Sequence, residues 1–187
     1  NDFTGAVSLS NSGGGNHVQV TDANAIDLGT VGVGANLTVI ALGGAITDSG
    51  VVTVGGDSIF NNSAGFNEAI NLDSASTYTG SVTFTTDPGS DVTITDNSAF
   101  AIQSGLNVNN LSITSTGGVT DLGDINIDGT LTVSAVGQTV DLSGAGGNDV
   151  TGAVTLTGAA VTLADTTATV IAGITATGAL GVTSGGA

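Results

Sequence analysis

The chain copies itself at a period of about 73 residues, and no other feature restricts its fold as strongly. Asn1-Asp2-Phe3-Thr4-Gly5 leads into the alternating segment Ala6-Val7-Ser8-Leu9-Ser10. Ser76-Thr77-Tyr78-Thr79-Gly80 leads into Ser81-Val82-Thr83-Phe84-Thr85, and Asn148-Asp149-Val150-Thr151-Gly152 into Ala153-Val154-Thr155-Leu156-Thr157. The units are 1–75, 76–147 and a truncated 148–187, expected to form one continuous segment, 1–187, cut from a longer array.

The correspondence runs on downstream. Val18-Gln19-Val20-Thr21-Asp22 matches Val92-Thr93-Ile94-Thr95-Asp96 and Val161-Thr162-Leu163-Ala164-Asp165. Val31, Val33, Leu37 and Val39 match Leu106, Val108, Leu111 and Ile113, then Ile174, Ala176, Leu180 and Val182. Thr47-Asp48 matches Thr120-Asp121, Val52 and Val54 match Ile125 and Ile127, and Ile70 and Leu72 match Val140 and Leu142.

Inside a unit the apolar residues recur every second position, the mark of strands with one buried face. Gly, Asn, Ser and Asp fill the spacers, as in Asn11-Ser12-Gly13-Gly14-Gly15-Asn16 and Asp87-Pro88-Gly89-Ser90. These residues tolerate turn geometry. No helical stripe of useful length appears; Ala23 to Leu28 is the nearest, and it is short.

The expected fold is all-β, a right-handed parallel β-helix (β-solenoid) built from the tandem units. The side chains are small and suit a narrow core, equivalent positions stay apolar, and length changes fall in turns. Coils of roughly 20 to 25 residues would give about eight coils and a rod of about 40 Å. Tandem β-sandwich domains are the main alternative and an amyloid-like fibre a lesser one, but a sandwich this short and this poor in aromatics would have a thin core.

Composition narrows the partners. There is no Lys or Arg against 16 Asp and Glu, and the formal net charge is −16. Nucleic acid needs cations to neutralise its phosphates, and anionic membranes would repel the chain. No apolar run is long enough to span a bilayer. There is no Cys, hence no disulfide or thiolate metal site. A chain without trypsin-type cleavage sites survives well outside cells, so the expected location is extracellular. The sequence looks like a mature or excised piece.

Several residue groups invite a chemical reading. Asp87, Asp91 and Asp96, and Asp121, Asp124 and Asp128, carry hard oxygen ligands for weak Ca²⁺ binding. Their spacing is not that of an EF-hand, and Asp is also a turn former. Gly146-Gly147-Asn148-Asp149 has one copy of a motif that binds Ca²⁺ only in tandem. His17, the one histidine, falls in a turn, so a Ser-His-Asp triad is disfavoured. A glycosidase would need paired carboxylates with aromatic or cationic walls, and only Glu68, Tyr78 and five Phe are on offer. Thr83 with Thr85, Thr93 with Thr95, and Thr155 with Thr157 could form a flat Thr face, as on ice-binding solenoids, or simply point outward from strands. Asn36, Asn61 and Asn110 fit the N-glycosylation pattern. No catalytic residue and no required cofactor is assigned.

The segments Ala35-Asn36-Leu37-Thr38-Val39, Gly43-Gly44-Ala45-Ile46-Thr47-Asp48-Ser49-Gly50 and Asn148 to Leu156 resemble giant bacterial surface proteins of the filamentous-haemagglutinin type. The resemblance implies a right-handed parallel β-helix, secreted as an adhesin, stalk or fibre, with no catalytic residues. The expected function is therefore a non-catalytic structural repeat segment of an extracellular adhesin, biofilm-matrix or filament protein. Its partners would be neighbouring repeats or identical subunits end to end, and host or cell-surface glycans. The alternative is a binding module, dependent on Ca²⁺ or directed at carbohydrate or ice.

Overall fold

A computed structural model describes residues 1–186, so Ala187, where the third unit stops, lies outside the described residues. Among the described residues there are 22 strands and no helix. Every strand pairs in parallel with the strand one coil away, which makes the chain a β-solenoid. Its walls are a 10-stranded sheet, a 9-stranded sheet and a short 3-stranded sheet, called here the first, second and third. The first and second sheets each run through nine successive levels, one more than the eight expected.

The core is a set of aliphatic columns. Ile26, Ile46, Ile70, Val92, Leu111, Leu131 and Val154 lie one above the next in the first sheet. All seven are buried. Consecutive members are 19 to 24 residues apart, so one coil takes that many residues to close. A parallel sheet wound from one chain gives its inner strands hydrogen-bond partners in the coils on either side. The alternating pattern puts the period-two apolar residues inside and polar ones outside. The aromatics are gathered rather than spread: Phe60 stacks on Phe84 with centroids 6.0 Å apart and meets Tyr78 edge-on at 5.9 Å.

Residues equivalent in the long repeat do not stack on one another. Val18 lies in the second sheet, its equivalent Val92 in the first, and Val161 in the second again. The same alternation holds for Val7, Val82 and Val154, and for Ile70 against Val140. From Val18–Asp22 to Ala160–Asp165 the second sheet climbs seven levels, while the sequence advances two units. One unit is thus three and a half coils, and each unit is turned half a coil from the last. The true ladders join residues about 20 positions apart, not 73.

The turns fit this packing. Asp87-Pro88-Gly89-Ser90 closes with the Ser90 amide donating to the Asp87 carbonyl at 2.9 Å, with Pro88 at the turn position its ring favours. Glycine fills corners where coils touch: a Cβ on Gly55 would stand 2.7 Å from the Gly34 carbonyl oxygen of the coil beside it.

Candidate functional site

Acidic side chains hold the corners of the solenoid. Asp22, Asp48, Asp96, Asp121 and Asp165 are all buried, each near the end of a strand. With no Lys or Arg in the chain, no salt bridge to those residues can form. Peptide amides and hydroxyls take the place of cations. Asp96 accepts the Tyr78 amide at 3.2 Å, the Ser98 amide at 3.1 Å and the Ser98 hydroxyl at 2.9 Å. Asp165 repeats the arrangement with the Thr167 amide and hydroxyl, both at 3.0 Å, and the Thr169 hydroxyl at 2.9 Å. Asp48 takes the Ser74 amide at 3.1 Å and the Ser76 hydroxyl at 3.4 Å. In each case a carboxylate in one coil is tied to the chain of the next or to its own turn, so the corner is fixed by charge-assisted bonds.

Burial raises the pKa of Asp48 and of Asp96 above the usual carboxylate range, against the opposing pull of their hydrogen bonds. Asp73 adds a like charge beside Asp48. Burial raises the Tyr78 phenol as well, and the Asp48 and Asp96 carboxylates add to the effect. Its hydroxyl is buried and has no hydrogen-bond partner. Exposed Asp57 goes the other way, lowered by the Ser81 hydroxyl and amide that donate to it at 2.8 and 2.9 Å.

Of the six Asp considered for calcium, Asp87 and Asp91 belong to one turn and Asp121 and Asp124 to another, with Asp96 and Asp128 at further strand ends. Asp87 gathers the amides of Gly65, Phe66 and Asn67 at 2.7, 3.0 and 3.4 Å, and so pins the turn of the preceding coil. Asp91 accepts the amide of Asn110 at 3.1 Å and the side-chain nitrogens of Asn109 and Asn110 at 2.9 and 2.8 Å. Asp96 is occupied as described. Asp121 accepts the Gly144 amide at 2.8 Å and the Asn148 side chain at 2.9 Å. Asp124, beside Gly146, and Asp128 are exposed. Among the described residues no three His, Cys, Asp or Glu side chains converge as a metal centre would need.

His17 and the glycosylation-pattern asparagines belong to the same corner system. His17 Nδ1 accepts the Asn36 amide at 3.3 Å, and Asp91 accepts the amide of Asn110, the residue equivalent to Asn36. His17 therefore does in the first unit what Asp91 does in the second. Asn36 Oδ1 in turn accepts the Asp57 amide at 3.0 Å, and Asn110 Oδ1 accepts the Thr130 amide at 2.7 Å. Asn61 Oδ1 caps the local turn through the Ser63 amide at 3.1 Å. Glu68 is exposed, and its carbonyl receives the buried Asn62 side chain at 2.7 Å.

The outer face of the first sheet carries two columns of hydroxyls. Thr93, Ser112, Thr132 and Thr155 form one, and Thr95, Thr114, Ser134, Thr157 and Thr175 the other. Levels about 4.8 Å apart set the spacing along the rod. Two of the three Thr pairs noted in the sequence, Thr93 with Thr95 and Thr155 with Thr157, lie in this array; Thr83 and Thr85 lie on the second sheet instead. Sequence inspection missed Ser98, Thr167 and Asn148 as corner partners. The recurring Asp-x-Ser/Thr at Asp96 and Asp165 was the available signal.

A single-chain solenoid with hydrogen-bonded acidic corners is thus the class that fold and side chains define. The chain belongs to a family described as repeats of unknown function (DUF5649), whose model matches residues 15–85 and 89–157. No curated protein and no solved structure matches the chain.

Proposed function

We propose that the chain is a non-catalytic structural segment of an extracellular bacterial adhesin, matrix or filament protein of the filamentous-haemagglutinin type. The observation that carries this reading is the unbroken level-to-level order of both large sheets, from Val7–Asn11 and Val18–Asp22 at one end to Val170–Ala176 and Leu180–Ser184 at the other. Such a rod transmits load along stacked coils, each contacting only its neighbours. The acidic sheath, −16 overall, keeps rods soluble and apart.

The proposed neighbour on the rod axis would stack on the last level. Ile171 and Leu180 are 44% and 57% exposed, whereas Val154 and Val161, in the preceding level, are 0% and 1% exposed. A further coil, from adjoining repeats or an identical subunit, would bury them and pair the open edge. Gold-labelled antibody applied to intact cells tests the location: label on surface fibres supports the reading, and label only after lysis contradicts it. Negative-stain images of the fibres should show uniform rods that lengthen by about 17 Å per unit, three and a half coils at the parallel-sheet spacing.

A second reading, a binding module, is favoured by the twin hydroxyl columns on the first sheet. Regular hydroxyls on a flat sheet could order water or an ice surface. Thermal hysteresis in the purified chain, lost on replacing Thr132 and Thr155 by Lys, would support it; an ordinary freezing curve would not.

A further inference from the structure

We propose that the second unit carries a binding cleft for a neutral saccharide, between the strand Val82–Thr85 and the strand Leu106–Val108. The cleft encloses about 290 Å³ and is lined by Thr83, Phe84, Thr85, Gln103, Leu106 and Asn107, among others.

Three observations converge there. The first is a parted ladder. In the first unit Leu9 pairs with Val31 and Ser10 with Gly32, and in the third Leu156 pairs with Ile174 and Thr157 with Thr175. The equivalent residues of the second unit, Phe84 with Leu106 and Thr85 with Asn107, are not among the paired positions. The strand Val82–Thr85 meets the next coil only at Val82 and Ile102, and Leu106–Val108 pairs away from it, with Ile125–Ile127. One unit opens what the other two keep closed.

The second observation is a pair of orphan polar atoms. The Gln103 side-chain nitrogen and the Asn107 side-chain oxygen are buried and lack any hydrogen-bond partner. A buried donor and a buried acceptor without partners are costly, so each calls for a group that fills it. The first unit has Gly29 and Gly32 at these places, so the coil does not need amides to close. The third is the wall: Phe84, half-buried, stands where Leu9 and Leu156 stand in the other units.

The chemistry selects the ligand. Turned from their closed positions into the cleft, the Gln103 donor and the Asn107 acceptor match hydroxyl groups, which can both accept and donate. The Phe84 ring offers an apolar face for the C–H side of a sugar ring. None of the lining residues is charged, and a chain of net charge −16 repels anions. The volume, about 290 Å³, lies just below the range for small-molecule sites, about 300 to 1,000 Å³, which suits a single sugar unit better than a peptide strand.

The test is an NMR titration of the full chain with the methyl glycosides of glucose, galactose and N-acetylglucosamine, each to tens of millimolar. At least one should give saturable shifts of the Gln103 and Asn107 side-chain amides and of the Phe84 ring. Gln103→Gly and Asn107→Gly, the residues of the first unit, should each weaken binding about fivefold. Unchanged spectra in the remaining coils would show that these variants are folded. The proposal is overturned if none of the three glycosides shifts those side chains, if glucuronate binds as well as they do, or if a blocked dialanine peptide is the only binder. It is equally overturned if both glycine variants, folded, bind as the parent does.

Discussion

Val18 and Val92 are equivalent in the sequence repeat and lie in different sheets, Val18 paired with Leu37 and Val92 with Leu111. Half a coil of rotation separates them. The sequence of one unit must therefore work in two settings, once starting from the second sheet and once from the first. Similar strand lengths and the same Asp corner solution on both walls make that workable. In a longer array of such units, a feature carried at one repeat position would face alternate sides of the rod.

The corner carboxylate is the part of the unit most sensitive to chemistry. Asp96→Ala strips the acceptor from the Tyr78 amide and from Ser98, and should cost about 1–3 kcal/mol by urea unfolding. Asp96→Asn keeps an acceptor and removes a buried charge, so it should be much milder at neutral pH. Equal losses in the two variants would show that the charge, not the hydrogen bond, holds the corner.

Stability should rise as pH is lowered from neutral towards about 4, the ordinary range of a free Asp. Asp48 and Asp96 have folded-state pKa values raised above the unfolded one. Their contribution is complete below the unfolded pKa and is lost as pH rises through the folded one. Relief of the −16 self-repulsion acts in the same direction. Asp57, lowered in the fold, opposes them only on further acidification, as pH falls through its folded pKa. Melting temperatures across this range test the sign, and the rise should be smaller in Asp96→Asn. A steady fall from neutral pH to 4 would contradict the assignment.

How much of this was legible in the sequence depends on which spacing is read. The period-two alternation in Val92-Thr93-Ile94-Thr95 announced an inward Val92 and Ile94, and both are buried. The coil length was harder to see, because a ladder asks only for an apolar residue at each level: Ile26, Ile46 and Leu131 share a column, yet the segments Ala25-Ile26-Asp27-Leu28, Ala45-Ile46-Thr47-Asp48 and Thr130-Leu131-Thr132-Val133 match only in part. The conspicuous match, Val18 to Val92, is one of sequence and not of contact. Corner Asp residues looked like calcium ligands because a carboxylate near Gly and Asn serves a turn as readily as a metal. Only the fold shows that Asp87 faces three amides of the coil before it.

Packing predicts a contrast between levels. Leu111 is buried between Val92 and Leu131, and Leu111→Ala should cost about 2–5 kcal/mol. Leu180, on the open last level, is 57% exposed, and Leu180→Ala should stay within about 0.5 kcal/mol. Chemical denaturation of the two variants side by side checks this.

The glycines divide in the same way. Gly55→Ala drives a methyl to 2.7 Å from the Gly34 carbonyl oxygen, a backbone atom with little room to retreat, and should cost about 1–3 kcal/mol. Gly32→Ala meets nothing within 4 Å and should be close to neutral. Thermal unfolding that ranks the two in the opposite order would contradict the corner packing.

The most direct test of coil-on-coil stacking is a spin-label distance. The chain has no Cys, so labels can be placed at Thr95→Cys and Thr175→Cys alone. These positions lie on one outward column, four levels apart along Thr95, Thr114, Ser134, Thr157 and Thr175. Pulsed electron paramagnetic resonance should give one narrow distribution near 19 Å between backbone positions, widened by a few ångströms for the label arms. A broad distribution, or a main distance twice that value, would mean that the 79 residues between them do not wind into stacked coils.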